Sequence, residues 1–267
     1  MFLSEARRHA ELVFEHASVR WLFGWWRILH LGAMLLVVAL APKSYDAETR
    51  RALARHVYLG TAPMLAWFTS LSALFGLVLI RIVVVTAESY GLSQYALEMV
   101  VRVLVLELLP LTTALFVALR YTLPMGVEVA AMRRTGAFGE PGHENEGALR
   151  LEVLPRVVAG IFAVWMLAAA SAVTALLLAY LSVYGFQTAG FPAYTHTVGQ
   201  VFDGVVSMVL LLKLGFLSIA VAGIPIASAL EDRIAGGGRT GPELQALIRL
   251  FVAVLLIEVV SLVGNYG

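Results

Sequence analysis

Ionisable side chains occur inside long apolar stretches of this 267-residue chain. Such charges are costly to bury, so they usually face the interior of a helix bundle or a water-filled cavity. Glu98 and Arg102 stand four residues apart on one helix face, where they can neutralise each other. Glu107 lies deeper, is flanked by leucines and precedes Pro110. It is expected to be either a buried carboxylate hydrogen-bonded to a neighbouring helix or a contact in a transport path.

Three further ionisable residues lie within or beside apolar runs. Lys213 and Glu258 are expected either to pair between helices or to extend toward the membrane surface, with a structural role favoured for both. Asp203 is expected to cap a helix. The sequence shows no evident partner of opposite charge for Glu107. An unpaired buried carboxylate either takes up a proton or finds water, and a transport cavity supplies water, so Glu107 is predicted to line a cavity shared with a lipid.

Motifs for catalysis or nucleotide binding are missing from the sequence. It contains neither His-Glu-x-x-His nor Gly-x-x-x-x-Gly-Lys, so any ATP hydrolysis is expected in a separate subunit. The ligand-type residues of His143-Glu144-Asn145-Glu146 are crowded into a glycine-rich loop without metal spacing, which predicts a solvated acidic loop. The chain has no cysteine, which excludes disulfides and thiolate chemistry. We therefore expect no cofactor, no metal and no catalytic site, and an intramembrane enzyme is the weakest hypothesis.

The composition is that of a membrane protein. Hydrophobic residues make up 60% of the chain and charged residues 14%, with a mean hydropathy of +0.85. A soluble domain carries about a quarter charged residues. The net charge of +1, without a sustained basic stripe, excludes an electrostatic nucleic-acid binder. The predicted fold class is an all-α integral membrane protein.

Five apolar runs are long enough to cross a bilayer, which takes about 20 residues per helix. They are Leu59–Val85, Tyr95–Tyr121, Val157–Ser182, Val205–Leu230 and Leu244–Val263. Trp21–Ala41 contains Arg27 and His30 and clusters its aromatic residues at one end, which predicts a helix in the membrane interface; a sixth span is the alternative. Ser4–Ala17 is also expected to lie on the surface. The uncharged connection Tyr184–Asp203 suits a re-entrant or interfacial piece.

Lysine and arginine positions predict the orientation, because cytoplasmic loops carry most of these residues. Basic residues lie before the first span, between the second and third spans, and between the fourth and fifth spans. The connections between the first and second spans and between the third and fourth spans contain no lysine or arginine. With five spans, the N-terminus is cytoplasmic and the C-terminus lies outside. Positions near Lys43, His143 and Gly237 should be cytoplasmic, and Thr188 and Gly267 outside. The expected division is residues 1–58 as cytoplasmic or interfacial helices and 59–267 as a five-helix domain with a cytoplasmic loop at 123–156.

Four short motifs follow one another from the second span onward: Leu106-Glu107-Leu108-Leu109-Pro110, Leu119-Arg120, Glu128-Val129-Ala130-Ala131-Met132-Arg133-Arg134-Thr135 and Leu154-Pro155-Arg156. This ordered set resembles the MlaE/YrbE permease family of bacterial lipid-transporting ABC systems. The family pattern is Arg-Glu-Leu-Gly-Pro, then Gly-Arg, then Ala-Glu-Leu-Gly-x-Met-x-x-Thr-Glu-Gln, then Pro-Arg. The resemblance covers roughly residues 20–267.

The resemblance implies a permease subunit in the bacterial inner membrane. Its partners would be a cytoplasmic ABC ATPase, a periplasmic MCE-domain protein and a second permease subunit, in a homodimer or a paralogous heterodimer. The substrate would be a phospholipid or a similar hydrophobic molecule. The alternative is a non-transporting scaffold, or pseudo-permease, in such a complex.

Residue by residue, the resemblance assigns two groups of side chains. Those expected in the lipid path are Glu107, Pro110 and Arg120, together with the nearby Glu98 and Arg102. Those expected to couple the permease to its ATPase are Glu128, Met132, Arg133, Arg134 and Thr135.

The chain departs from the family pattern in two places. Leu106 replaces the motif arginine and Leu109 replaces its glycine. After Thr135 the family continues with a short apolar helix, whereas this chain has three glycines and a proline between positions 136 and 142. Contact with the ATPase is therefore predicted to centre on Met132–Phe138, with Phe138 as the apolar plug, and residues 139–147 are predicted to be loosely held.

Overall fold

The computed structural model describes residues 46–138, 146–231 and 242–266, and these residues form helices and no strand. Helix α1 covers Ala47–Ser89, α2 covers Ser93–Arg134 and α3 covers Leu149–Tyr184. Helix α4 covers Phe191–Val201, α5 covers Gly204–Glu231 and α6 covers Pro242–Tyr266. The predicted surface segments Ser4–Ala17 and Trp21–Ala41 lie outside the described residues, as does His143.

The five predicted spans are confirmed as helices long and apolar enough to cross a membrane. Three of them extend further than hydropathy indicates, since α3 also begins eight residues before the predicted Val157. Helix α1 begins at Ala47, so residues 47–58 continue the first spanning helix, and α2 runs on through Arg134. The three extensions are more polar than the spans themselves.

Helix α2 changes its winding twice, and each change lies at a residue singled out from the sequence. It is π-helical over Val101–Leu108, which contains Glu107, and again over Ala118–Thr122, which contains Arg120. Segments of π-helix widen the backbone locally and are frequent at functional sites.

Helix α3 lies at the centre of the bundle, where it packs along α1 and also contacts α2 and α5. The close approach depends on Gly160 of α3. A Cβ atom at this position would lie 3.0 Å from Cγ2 of Thr122 and 3.1 Å from Cβ of Ala222. Small residues at crossings let membrane helices pack closely, which is their main source of association in lipid.

Replacing Gly160 with leucine is expected to separate α3 from its neighbours and to lower the free energy of unfolding by about 1–3 kcal/mol, the usual cost of overpacking. The matched control is Gly223→Leu, because a Cβ atom at Gly223 would meet nothing within 4 Å. Denaturant unfolding in detergent would measure both. Equal stabilities of the two variants would contradict the close packing at Gly160.

The connection between α3 and α5 contains a helix rather than an irregular loop. An aromatic cluster fixes α4 against the end of α3: the Tyr180 and Tyr194 ring centroids are 5.1 Å apart, and the Tyr194 hydroxyl donates to the Leu176 carbonyl at 3.0 Å. The predicted capping role of Asp203 is confirmed, since its Oδ1 accepts from the Val206 amide at 2.7 Å.

Candidate functional site

Three ionisable side chains from α2, α5 and α6 meet inside the bundle. The ammonium group of Lys213 on α5 forms an ion pair with Glu107 Oε2 on α2 and another with Glu258 Oε1 on α6, the latter at 2.8 Å. The Lys213 side chain is only 1% exposed, and those of Glu107 and Glu258 are 12% and 13% exposed. We call these three residues the buried triad.

A backbone carbonyl of α2 supplies a third contact of Lys213. The Lys213 ammonium lies 3.3 Å from the Leu106 carbonyl oxygen and donates to it. An ammonium has three donors, so Glu107, Glu258 and this carbonyl together satisfy Lys213 completely. The motif that contains Glu107 and Pro110 therefore supplies two of the three acceptors.

The expectation that Glu107 lacks a mate is wrong, because Lys213 neutralises it from another helix. The interhelical pairing of Lys213 with Glu258 is confirmed. The predicted local pair is also confirmed, with Arg102 Nε 2.9 Å from Glu98 Oε1 and both side chains about one-third exposed. Two carboxylates against one ammonium give the buried triad a net charge of −1 when all three are ionised.

The buried triad also has unused hydrogen-bonding capacity. Glu258 Oε2 is buried and has no hydrogen-bond partner among the described residues. A buried polar atom without a partner is costly, and bound water or a polar group of a ligand commonly satisfies it. Lys213 is nine residues from the start of α5, or about 14 Å along the helix axis. The triad thus places polar groups well inside the apolar layer.

A cavity of about 960 Å³ lies elsewhere, at the end of the bundle where α1 and α3 begin and α2 ends. Its polar lining consists of Arg55, His56, Arg120, Tyr121, Glu128, Glu152 and Arg156. Arg156 is buried and contacts Glu152 Oε2 at 2.6 Å and Glu128 Oε2 at 3.9 Å. Glu107 does not line this cavity, whereas Arg120, predicted for the same lipid path, does.

The predicted coupling residues divide between exposed and buried positions. Glu128, Arg134 and Thr135 are exposed, whereas Met132 is partly buried and Arg133 is 8% exposed. Except for Thr135, which follows the last turn, all of them lie on the final stretch of α2. The exposed face of this stretch also includes Pro124, Val127 and Ala131.

Phe138, predicted as the apolar plug of the ATPase contact, is buried in this structure, with a side chain only 1% exposed. It packs in an apolar cluster with Val129, Leu149 and Val153. A tight turn at the end of α2 brings it there: Gly136 has φ of +83°, its amide donates to the Arg133 carbonyl, and the Ala137 amide donates to Met132. This pattern is a Schellman motif, which reverses the chain after a helix.

Within the described residues, no group of three His, Asp or Glu side chains is placed to hold a metal ion. The buried triad joins three spanning helices through charge, which could hold the bundle together, contact a polar group of a substrate, or do both.

Comparison with known proteins places these features in a family. A family model described as Permease MlaE matches residues 53–263, most of the chain. The match includes every member of the buried triad and all residues that line the cavity except Ala52. None of the curated proteins compared with the chain matches it significantly.

Proposed function

This chain belongs to the MlaE permease family, and from that membership we propose that it is the membrane-spanning subunit of an ABC-type transporter for phospholipid or a similar hydrophobic substrate. ATP hydrolysis would take place in a separate cytoplasmic subunit, and a periplasmic MCE-domain protein would exchange the substrate with the permease. The chain would act with a second permease subunit in the bacterial inner membrane.

The buried triad is the observation that best supports a transport role. Ionisable residues inside spanning helices are expensive and usually mark a substrate or ion path. Here they link α2, α5 and α6, so any movement of one helix against the others must disturb the ion pairs. We therefore propose that the triad contacts the polar part of the substrate, and that Glu98 and Arg102 lie near one end of the same path.

The proposed orientation places the N-terminus in the cytoplasm and the C-terminus in the periplasm. The natively cysteine-free sequence allows a direct test with single cysteines. A membrane-impermeant thiol reagent added to intact spheroplasts should label Thr188→Cys, whereas His143→Cys should be labelled only after the cells are opened. Labelling of position 143 from outside would contradict the orientation.

Contact with the ATPase is proposed on the exposed face at the end of α2, around Val127, Ala131 and Arg134. An aspartate placed at Ala131 would bring an unpaired charge into that contact. Since central interface positions commonly contribute 2 kcal/mol or more, Ala131→Asp should weaken ATPase binding at least about tenfold. Co-purification of the ATPase with the full chain measures this directly.

The matched control for this substitution is Ala193→Asp on α4. Ala193 is also exposed but lies at the opposite end of the bundle. It should leave ATPase binding unchanged, and both variants should purify as folded protein. If the ATPase binds the Ala131→Asp variant at full strength, this face is not the docking site and the scaffold hypothesis gains support.

A further inference from the structure

The 960 Å³ cavity combines charge at its mouth with an apolar wall. Three arginines against two glutamates leave its lining with one net positive charge when His56 is neutral. Arg156 is already engaged by both glutamates. Arg55 and Arg120 are exposed, and neither has an ion-pair partner among the described residues. Two cations are therefore available to an anion.

Two residues of the cavity lining also carry buried polar atoms without a partner. The Tyr121 hydroxyl and Arg156 Nε are both buried and have no hydrogen-bond partner among the described residues. Both residues line the cavity, and Arg156 is only 6% exposed. Because these two atoms have almost no accessible surface, a ligand in the cavity would contact the exposed Arg55 and Arg120 instead.

The stripe of α1 residues that lines the cavity is about as long as one membrane leaflet is thick, with a charged residue at one end. On α1 the cavity is lined by Arg55, Leu59, Pro63 and Trp67, which repeat every four residues along one helix face. From Arg55 to Trp67 the stripe rises about 18 Å. Half of a bilayer's hydrocarbon thickness is about 15 Å. Leu59 and Trp67 are 50% and 67% exposed, so this stripe is open to a hydrocarbon chain.

We infer that this cavity binds one anionic phospholipid, with its phosphate between Arg55 and Arg120 and an acyl chain along the α1 stripe. The single negative charge of the phosphate balances the net positive charge of the lining, and the two free guanidinium groups can bind it in a planar, two-pronged geometry. The site is distinct from the buried triad, and the inference concerns binding alone. It stands whether or not the chain transports lipid.

Photo-crosslinking tests this inference in the full chain, reconstituted without any ATPase. A benzoylphenylalanine probe replaces Leu59 in nanodiscs made of equal phosphatidylglycerol and phosphatidylcholine with identical acyl chains. The same probe at Leu177, an exposed residue of α3 outside the cavity, reports the bulk lipid. Adducts at position 59 should favour phosphatidylglycerol about tenfold relative to position 177. Both lipids carry the phosphate, but the choline cation of phosphatidylcholine offsets its charge and is repelled by Arg55 and Arg120, whereas phosphatidylglycerol keeps a net charge of −1.

Arginine variants identify the source of this selectivity. Arg55→Gln and Arg120→Gln should each lower the enrichment several-fold, and together they should abolish it. Arg55→Lys keeps the charge but not the two-pronged geometry, so it should keep more of the enrichment than Arg55→Gln but less than the original chain. Arg81→Gln is the matched control, since Arg81 is an exposed arginine of α1 outside the cavity. It should leave the enrichment unchanged.

Three results would overturn the inference. One is equal labelling by the two lipids at position 59. Another is crosslinking of position 59 to residues 1–45 of the chain instead of to lipid. The third is a combination of two findings: the two lipids label position 59 equally, and inorganic phosphate binds in phosphatidylcholine nanodiscs in a manner that depends on the arginines. That combination would assign the arginines to a soluble anion.

Discussion

Replacing Lys213 with methionine is expected to lower the free energy of unfolding by about 3–5 kcal/mol, the usual cost of removing one partner of a buried ion pair. The substitution keeps the side chain's length but leaves Glu107 and Glu258 facing each other without a cation. Denaturant unfolding of the purified chain in detergent measures the change. The ATP-dependent transfer of lipid should be lost as well.

A neutral triad separates the structural from the transport role. The triple variant Lys213→Met, Glu107→Gln, Glu258→Gln removes both the cation and the carboxylates, and replacing a buried charge cluster by neutral groups is often close to neutral for stability. We expect it to recover most of the lost stability but none of the lipid transfer. A triple variant as unstable as Lys213→Met alone would contradict the view that the uncompensated carboxylates cause the damage.

Replacing Phe138 with alanine is expected to cost about 3–5 kcal/mol of stability, because it empties a fully buried aromatic site. The cluster that it fills joins the end of α2 to α3 and α5, so this end of the bundle should loosen first. Denaturant unfolding provides the measurement. The matched control is Val127→Ala, an exposed apolar residue of the same helix, which should change stability by less than about 0.5 kcal/mol.

ATPase binding to the Phe138→Ala variant distinguishes packing from docking. If the variant is as stable as the original chain but no longer retains the ATPase, then Phe138 acts as a docking residue after all. The expected outcome is that the Phe138→Ala variant is less stable but still binds the ATPase, because the ATPase does not touch Phe138.

The spanning helices could be predicted from the sequence because hydrophobic composition alone decides which segments enter a bilayer. Val157–Ser182 carries no charge and lies entirely within α3. The ends of the helices were less predictable. Residues 47–58 and 122–134 are more polar than the spans, yet they remain helical. Pro124 is tolerated because it lies in the first turn after the π-helical Ala118–Thr122, where the α-helical winding resumes.

The buried triad was only partly predictable. Lys213 and Glu258 could be paired from the sequence because they have opposite charge inside different spans. Glu107 was missed as the third member, since pairing across 106 residues depends on how three helices pack. The available signal was the balance of charge: Glu98 and Arg102 neutralise each other locally, which leaves one deep cation and two deep acids.

The dense run of glycine and proline after Thr135 predicts a break in the helix, but it does not predict that Phe138 is buried. Gly136 instead supplies the left-handed residue that ends α2 and turns the chain back. An apolar residue shortly after such a glycine often packs against the helix that has just ended, and this signal was present in the sequence.

The most direct test of the account is ATP-dependent lipid transfer in proteoliposomes that contain this chain with its ATPase and its periplasmic partner. The original chain should transfer labelled phospholipid when ATP is supplied, and the folded triple variant of the buried triad should not, although its ATPase still binds. Transfer by the triple variant at the rate of the original chain would contradict the account, because the triad would then be a structural element alone.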